Sequence, residues 1–267
     1  MEFWKSILMG FVQGIAEFLP ISSSGHLAII DNYFKNVSKF PLWFDILLHI
    51  STLIVVISFF FNEFTMLLRG GLKFYKFFDD KESKLFWLVV IATIFTVVFA
   101  LLLEPLTRLA DSNVKIVGIA LIVNSVILLI PYAITLVKQP KSLESIGFIE
   151  SVIIGISQGI GTIPGISRSG ITISTGLVLG IERTSSGVFS FLIFIPAVIG
   201  SFIYETYKST KIGAIDVKFE WSYALGFVTA LIVGYLALWL LMRILKEGKF
   251  YLFSIYTFVL GIIVLIF

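Results

Sequence analysis

The chain of 267 residues contains no cysteine, which excludes disulfides, thiolate metal ligands and cysteine nucleophiles and leaves no redox compartment to read. Histidine is nearly as scarce, with His26 and His49 alone. Charged residues make up 14% of the chain against 58% hydrophobic, and the mean hydropathy of +1.01 lies far outside soluble-domain usage. A net charge of +3 that sits in loops beside apolar runs makes nucleic acid a poor partner. Soluble-enzyme signatures are missing too: HExxH, GxSxG, a Walker loop and a dinucleotide fingerprint do not occur.

Long apolar runs are what the chain does have. Six stretches approach the roughly 20 residues a bilayer core demands: about 42–61, 86–103, 114–137, 187–205, 221–242 and 250–267. They predict an all-α polytopic membrane protein in a single membrane domain, 1–267. The first apolar segment is interrupted by Gln13 and Glu17, unlike a cleavable signal, so it is expected to stay in the mature chain.

Two further segments are neither spans nor ordinary loops. Residues 10–25, GFVQGIAEFLPISSSG, return at 155–170 as GISQGIGTIPGISRSG, identical at eight of sixteen positions. Each copy runs short and apolar, breaks at Pro, Gly and hydroxyl residues, then resumes, which predicts a re-entrant helical hairpin. Unit one is then 1–140, with a hairpin at about 5–33 and three spans; unit two is 148–267, with a hairpin at about 150–181 and three spans. Three is odd, so the second unit enters from the opposite face and the repeat is inverted. Lys and Arg in the loops divide eleven, among them Arg69, Lys73, Lys76, Lys81 and Lys84, against eight, among them Lys35, Lys39, Arg108 and Lys218. The positive-inside rule puts the 62–85 loop in the cytoplasm and both termini outside.

Ionisable residues among apolar segments are functional candidates by default, which singles out Glu17, His26 and Arg168. Glu17 follows Gln13 by one helical turn. Ser22, Ser23, Ser24, Gly25 and His26 combine hydroxyls, flexible backbone and an imidazole able to act as nucleophile or as base for a neighbouring serine. Ser167, Arg168, Ser169 and Gly170 form a complementary half suited to a diphosphate, because arginine binds phosphate oxygens bidentately. An ion pair of Arg168 with Glu17 is compatible with that role. Gly10/Gly14 and Gly155/Gly159 are GxxxG spacings that report helix packing. His49 reads as a structural histidine, and Asn124 as an isolated polar residue without an assigned role.

The pattern Gln13-Gly14-x-x-Glu17-x-x-Pro20-x-Ser22-Ser23-Ser24-Gly25-His26, with Pro164-Gly165-x-Ser167-Arg168-Ser169-Gly170-x-Thr172, resembles the two signature motifs of the undecaprenyl-diphosphate phosphatase family, bacitracin-resistance type. Ser51-Thr52-Leu53 and Phe189-Ser190-Phe191-Leu192 through Pro196 look like that family as well, so the similarity runs along the chain. The resemblance implies hydrolysis of a C55 polyprenyl diphosphate, a divalent cation (Mg2+ or Ca2+), and a multi-pass protein of the cytoplasmic membrane whose site opens outward. Its partners would be the polyprenyl diphosphate and membrane lipids, with a homodimer as a candidate assembly. On this chain Glu17, with Gln13, would bind the metal or orient the histidine, and Ser23 and His26 would be the nucleophile and base pair. Spacing leaves open which of these attacks. Arg168, Ser167, Ser169, Thr172 and Ser22 would hold phosphate. The family allows Glu or Gln at the first position; with Gln13, Glu17 is the sole motif carboxylate. A carrier for a phosphorylated lipid is the rival reading, since inverted repeats with broken helices serve transport. The lipid phosphatases with PSGH and SR motifs are excluded by the missing histidine after Arg168.

Overall fold

The computed structural model describes residues 3–33, 42–134, 140–211 and 220–267. They form helices α1 (Phe3–Phe18), α2 (Ser23–Tyr33), α3 (Leu42–Phe59), α4 (Phe61–Leu72), α5 (Lys81–Ser112), α6 (Val114–Ile134), α7 (Phe148–Ile160), α8 (Arg168–Val178), α9 (Arg183–Lys211), α10 (Trp221–Lys246) and α11 (Leu252–Ile266). Lys35, Lys39, Lys138, Lys218 and the last residues of the expected 114–137 span lie outside the described residues.

Four helices, α5, α6, α9 and α10, are long and apolar enough to cross a membrane, and the pair α3 and α4 makes a fifth if taken together. That pair bends by 91°. Phe60 stands at the break with ψ near 40°, outside the helical region, and α4 continues with Glu63 in its first turn and Arg69 in its last, charges placed to suit the helix dipole. Much of the loop expected at 62–85 is therefore helical. The expected final span is short, since the 15 residues of α11 rise about 22 Å against a hydrocarbon core of about 30 Å.

The two segments that repeat in sequence fold alike and pack crosswise. In each, a first helix (α1 or α7) runs to the Pro-Gly break and a second (α2 or α8) begins at the serine run. α1 lies along α10, and α7 along α5. Glycine makes both contacts possible: a Cβ on Gly10 would come within 2.2 Å of Gly226 O, and one on Gly155 within 2.4 Å of Ala92 O. The GxxxG spacings are thus sites of backbone approach, as their packing reading requires.

The turns of the two hairpins also meet. Ser22 and Ser167 occupy the same place in each copy and cap the second helix, Ser22 Oγ accepting from Gly25 N at 3.2 Å and Ser167 Oγ from Gly170 N at 3.1 Å. Ser22 Oγ accepts as well from Gly165 N at 3.0 Å, fastening one turn to the other. Below them a core of Phe18, Phe60, Phe189, Phe191 and Leu192 is almost wholly buried, with the Phe18 and Phe191 rings 5.9 Å apart. At the opposite side Lys141 pins the second hairpin. Its backbone bonds Gly180 and Glu182 after α8, and its ammonium pairs with Glu150 in the first turn of α7.

Candidate active site

The end of α1 delivers Glu17, and the starts of α2 and α8 deliver Ser23 and Arg168, to one corner of a cavity of about 640 Å³. Glu17 is 8% exposed. Its Oε2 accepts from Ser23 Oγ at 2.7 Å and from Gln13 Nε2 at 3.2 Å; its Oε1 accepts from Arg168 Nη2 at 3.1 Å. One buried carboxylate therefore gathers a hydroxyl from its own hairpin and a guanidinium from the other. The Arg168 guanidinium stands 4.8 Å from the Phe194 ring centre, so a cation–π contact steadies its second face.

Two helix N-termini aim at this corner. The first turns of α2 and α8 carry backbone N–H groups without intrahelical acceptors, and Ser23, Ser24, Ser167 and Arg168 all line the cavity. Such ends favour anions through both donors and dipole. A phosphate placed there would meet Arg168 as well.

The histidines exchange the places the sequence suggests. His26 faces Ser22 O through Nδ1 at 2.8 Å and Tyr256 of α11 through Nε2 at 2.7 Å, with the two rings stacked at 2°. Both ring nitrogens are engaged away from Ser23, and His26 is not among the cavity's lining residues. His49, set aside in the sequence, does line it. Its Nδ1 meets the carbonyl of Asp45 at 2.9 Å and must donate there, which turns Nε2 toward Glu17 Oε2 at 4.0 Å. The only signal in the sequence is its position one span beyond the hairpin.

The expected phosphate ligands separate in the same way. Arg168, Ser167 and Ser22 line the cavity, though both serine hydroxyls are occupied as caps. Ser169 Oγ donates to Phe18 O at 3.0 Å, and Thr172 Oγ1 bonds Arg168 O and Ser190 Oγ, so these two brace the frame. Asn124, an isolated polar residue without a role in the sequence, has two partners in the structure. From α6 its Nδ2 donates to Pro20 O at 3.1 Å and its Oδ1 accepts from Ser167 N at 3.0 Å, joining the turns of both hairpins. An amide inside an otherwise apolar span needs such partners, and the sequence alone does not show which they are.

Among the described residues no cluster of three His, Asp or Glu could hold a metal ion unaided. One oxygen is nonetheless spare beside the carboxylate: Gln13 Oε1 is buried and, among the described residues, has no hydrogen-bond partner.

The family model of the bacitracin resistance protein BacA matches residues 6–263. The undecaprenyl-diphosphatase of Treponema denticola is 37% identical over 98% of this chain and 96% of its own. That of Desulforapulum autotrophicum is 38% identical over 100% and 98%. That of Borrelia recurrentis is 39% identical over 94% of each.

Proposed function

The chain belongs to the bacitracin resistance protein BacA family, and from that premise we propose that it hydrolyses undecaprenyl diphosphate to the monophosphate and inorganic phosphate, recycling the lipid carrier of cell-wall polymers. It is a multi-pass membrane enzyme. The observation that carries the chemistry is the buried carboxylate of Glu17 holding both Ser23 Oγ and Arg168. A hydroxyl, a proton acceptor and a guanidinium in contact are the parts that phosphoryl transfer needs.

In this reading Ser23 Oγ attacks the terminal phosphorus while its proton passes to Glu17. The anhydride P–O bond breaks and the lipid monophosphate leaves, taking that proton from Glu17, which is again a carboxylate. Water then attacks the phosphoserine with Glu17 again as base, and the proton returns to Ser23 Oγ as inorganic phosphate departs. Arg168 and the N–H groups opening α2 and α8 balance charge on the phosphate oxygens throughout. His26 acts at one remove, fixing the Ser22–Ser23 turn against Tyr256, and His49 closes the cradle beside Glu17.

Glu17 and the spare carbonyl oxygen of Gln13 would hold a Mg2+ or Ca2+ ion, a cation that prefers oxygen ligands. When bound, the ion would neutralise diphosphate charge.

Six spans and two re-entrant hairpins in an inverted repeat account for the crosswise packing of α1 on α10 and α7 on α5 and for the matched caps Ser22 and Ser167. The cavity extends to Arg108 and Tyr204 in the C-terminal parts of α5 and α9, at the end of α5 away from the lysine-rich turn between α4 and α5. With that turn cytoplasmic, both termini and the cavity mouth lie outside.

The test is phosphate release from undecaprenyl diphosphate by the purified protein in detergent, with and without EDTA. Native protein should turn over and lose activity with EDTA, and Arg168→Ala should be nearly inert. Turnover that survives Arg168→Ala would overturn the assigned centre. No turnover by the native protein would favour the carrier.

A further inference from the structure

The same cavity carries a second glutamate–arginine pair at its other end. Among the described lining residues, Arg168 and Arg108 are the lysines and arginines, and each is held by a glutamate, Glu17 at the deep end and Glu104 at the mouth. On α5 the residues Val97, Ala100, Glu104, Arg108 and Asp111 follow one another at helical spacing along the wall. The stripe is apolar in its middle and charged at its end. Thr96 of α5 accepts from Gln158, which stands with Glu17 and Arg168 at the deep end, and from Thr96 to Arg108 the helix rises about 18 Å, so the two arginines mark opposite ends of one passage. Arg168 has a side chain 26% exposed and Arg108 one 67% exposed, which places the first inside and the second at the rim.

Arg108 is presented as a fork. Nη2 and Nε both donate to Glu104 Oε1, at 2.6 and 3.2 Å, which uses two of the five N–H donors of the guanidinium. A phosphate dianion carries more charge than a carboxylate and matches the fork as well, so it can displace Glu104. Between the two pairs α5 presents Val97, Ala100 and Leu101, and the hydroxyls of Thr96 and Thr107 donate to backbone carbonyls, so along that wall the cations that a phosphate meets stand at the two ends.

Resting on the phosphatase reading, we propose that Arg108 is a phosphate-docking residue at the cavity mouth, with Glu104 its competitor. The same phosphate chemistry has two sources, the headgroup of an arriving lipid diphosphate and the inorganic phosphate that leaves. Glu104 and Arg108 thus have opposed roles, which a pair serving only to stabilise α5 would lack.

Two measurements separate the sources. In steady state, Arg108→Gln should raise KM for undecaprenyl diphosphate and the inhibition constant of inorganic phosphate, each about fivefold, the scale of one exposed charge contact. The loss should fall on KM rather than on kcat, and Glu104→Gln should move both constants the other way. A rise in KM alone supports headgroup capture, and a rise in the inhibition constant alone supports product release. No change in either, or changes of the same sign in both variants, overturns docking. Independently of turnover, a phosphorus NMR titration of inorganic phosphate into the Arg168→Ala protein should show binding that weakens when Arg108→Gln is added. Native protein without turnover would sink the phosphatase reading, while this titration still decides on Arg108.

Discussion

Ser23 Oγ donates to Glu17 Oε2 across 2.7 Å, joining the start of α2 to the end of α1. If this pair supplies nucleophile and base, Ser23→Ala should abolish phosphate release, and Glu17→Gln should lower kcat by about 10²–10⁴-fold, the usual worth of general-base catalysis. Ser24, exposed at the same cavity, provides the contrast, and Ser24→Ala should keep most of the rate. Equal losses at Ser23 and Ser24 would mean that the hydroxyl run binds substrate without attacking it.

His26 Nε2 and the Tyr256 hydroxyl are 2.7 Å apart, and both ring nitrogens of His26 are occupied. A histidine that works by holding the Ser22–Ser23 turn predicts that His26→Ala and Tyr256→Phe each lower kcat, and that the double variant is no worse than His26→Ala. Such non-additivity is what contacting residues show in a double-mutant cycle. Additive losses would instead return His26 to direct proton transfer.

Glycine contacts set a stability prediction apart from catalysis. A side chain on Gly10 meets the carbonyl of Gly226 and one on Gly155 meets that of Ala92, both backbone atoms that cannot swing aside. Gly10→Ala and Gly155→Ala should each cost about 1–3 kcal/mol, the range for overpacking. Thermal unfolding in detergent reads this directly, and a variant at Gly200, where an added Cβ meets nothing within 4 Å, is the matched control.

How much of this was legible in the sequence follows from what each residue contacts. Glu17, Ser23 and Arg168 stood out because charge and duplicated hydroxyls are expensive among apolar helices, and their meeting follows once the two copies are brought turn to turn. Which histidine lines the cavity was not legible, because spacing along α2 cannot say which face turns to it: Tyr256 lies 230 residues away, and no local pattern announces it. The bend at Phe60 was hidden for a related reason, since no Pro or Gly marks it and the apolar run continues through. Ser169 and Thr172 look like anion ligands by composition, yet their hydroxyls are taken by Phe18 O, Arg168 O and Ser190 Oγ. Only the tertiary structure shows which hydroxyls are already satisfied.

Asn124 joins the two halves, and its removal should separate fold from chemistry. Its amide is fully buried, donates to Pro20 O and accepts from Ser167 N, so Asn124→Ala leaves one carbonyl and one N–H without their partner. Stranding buried backbone groups costs about 1–3 kcal/mol each, and the melting temperature should fall accordingly. The effect on rate should exceed what stability alone explains. Ser167 is the cap that starts α8, and Pro20 precedes the cap that starts α2, so loosening both shifts Arg168 relative to Ser23. Asn124→Asp keeps the acceptor for Ser167 N and loses the donor to Pro20 O; it should therefore spare the Arg168 side and disturb the Ser23 side. Measured well below the melting transition, Asn124→Ala should lose kcat while Asn124→Asp retains phosphate affinity. If both variants lose stability and keep native kcat, the amide is a brace only, and the register between the two hairpins is set elsewhere, at Ser22 Oγ and Gly165 N.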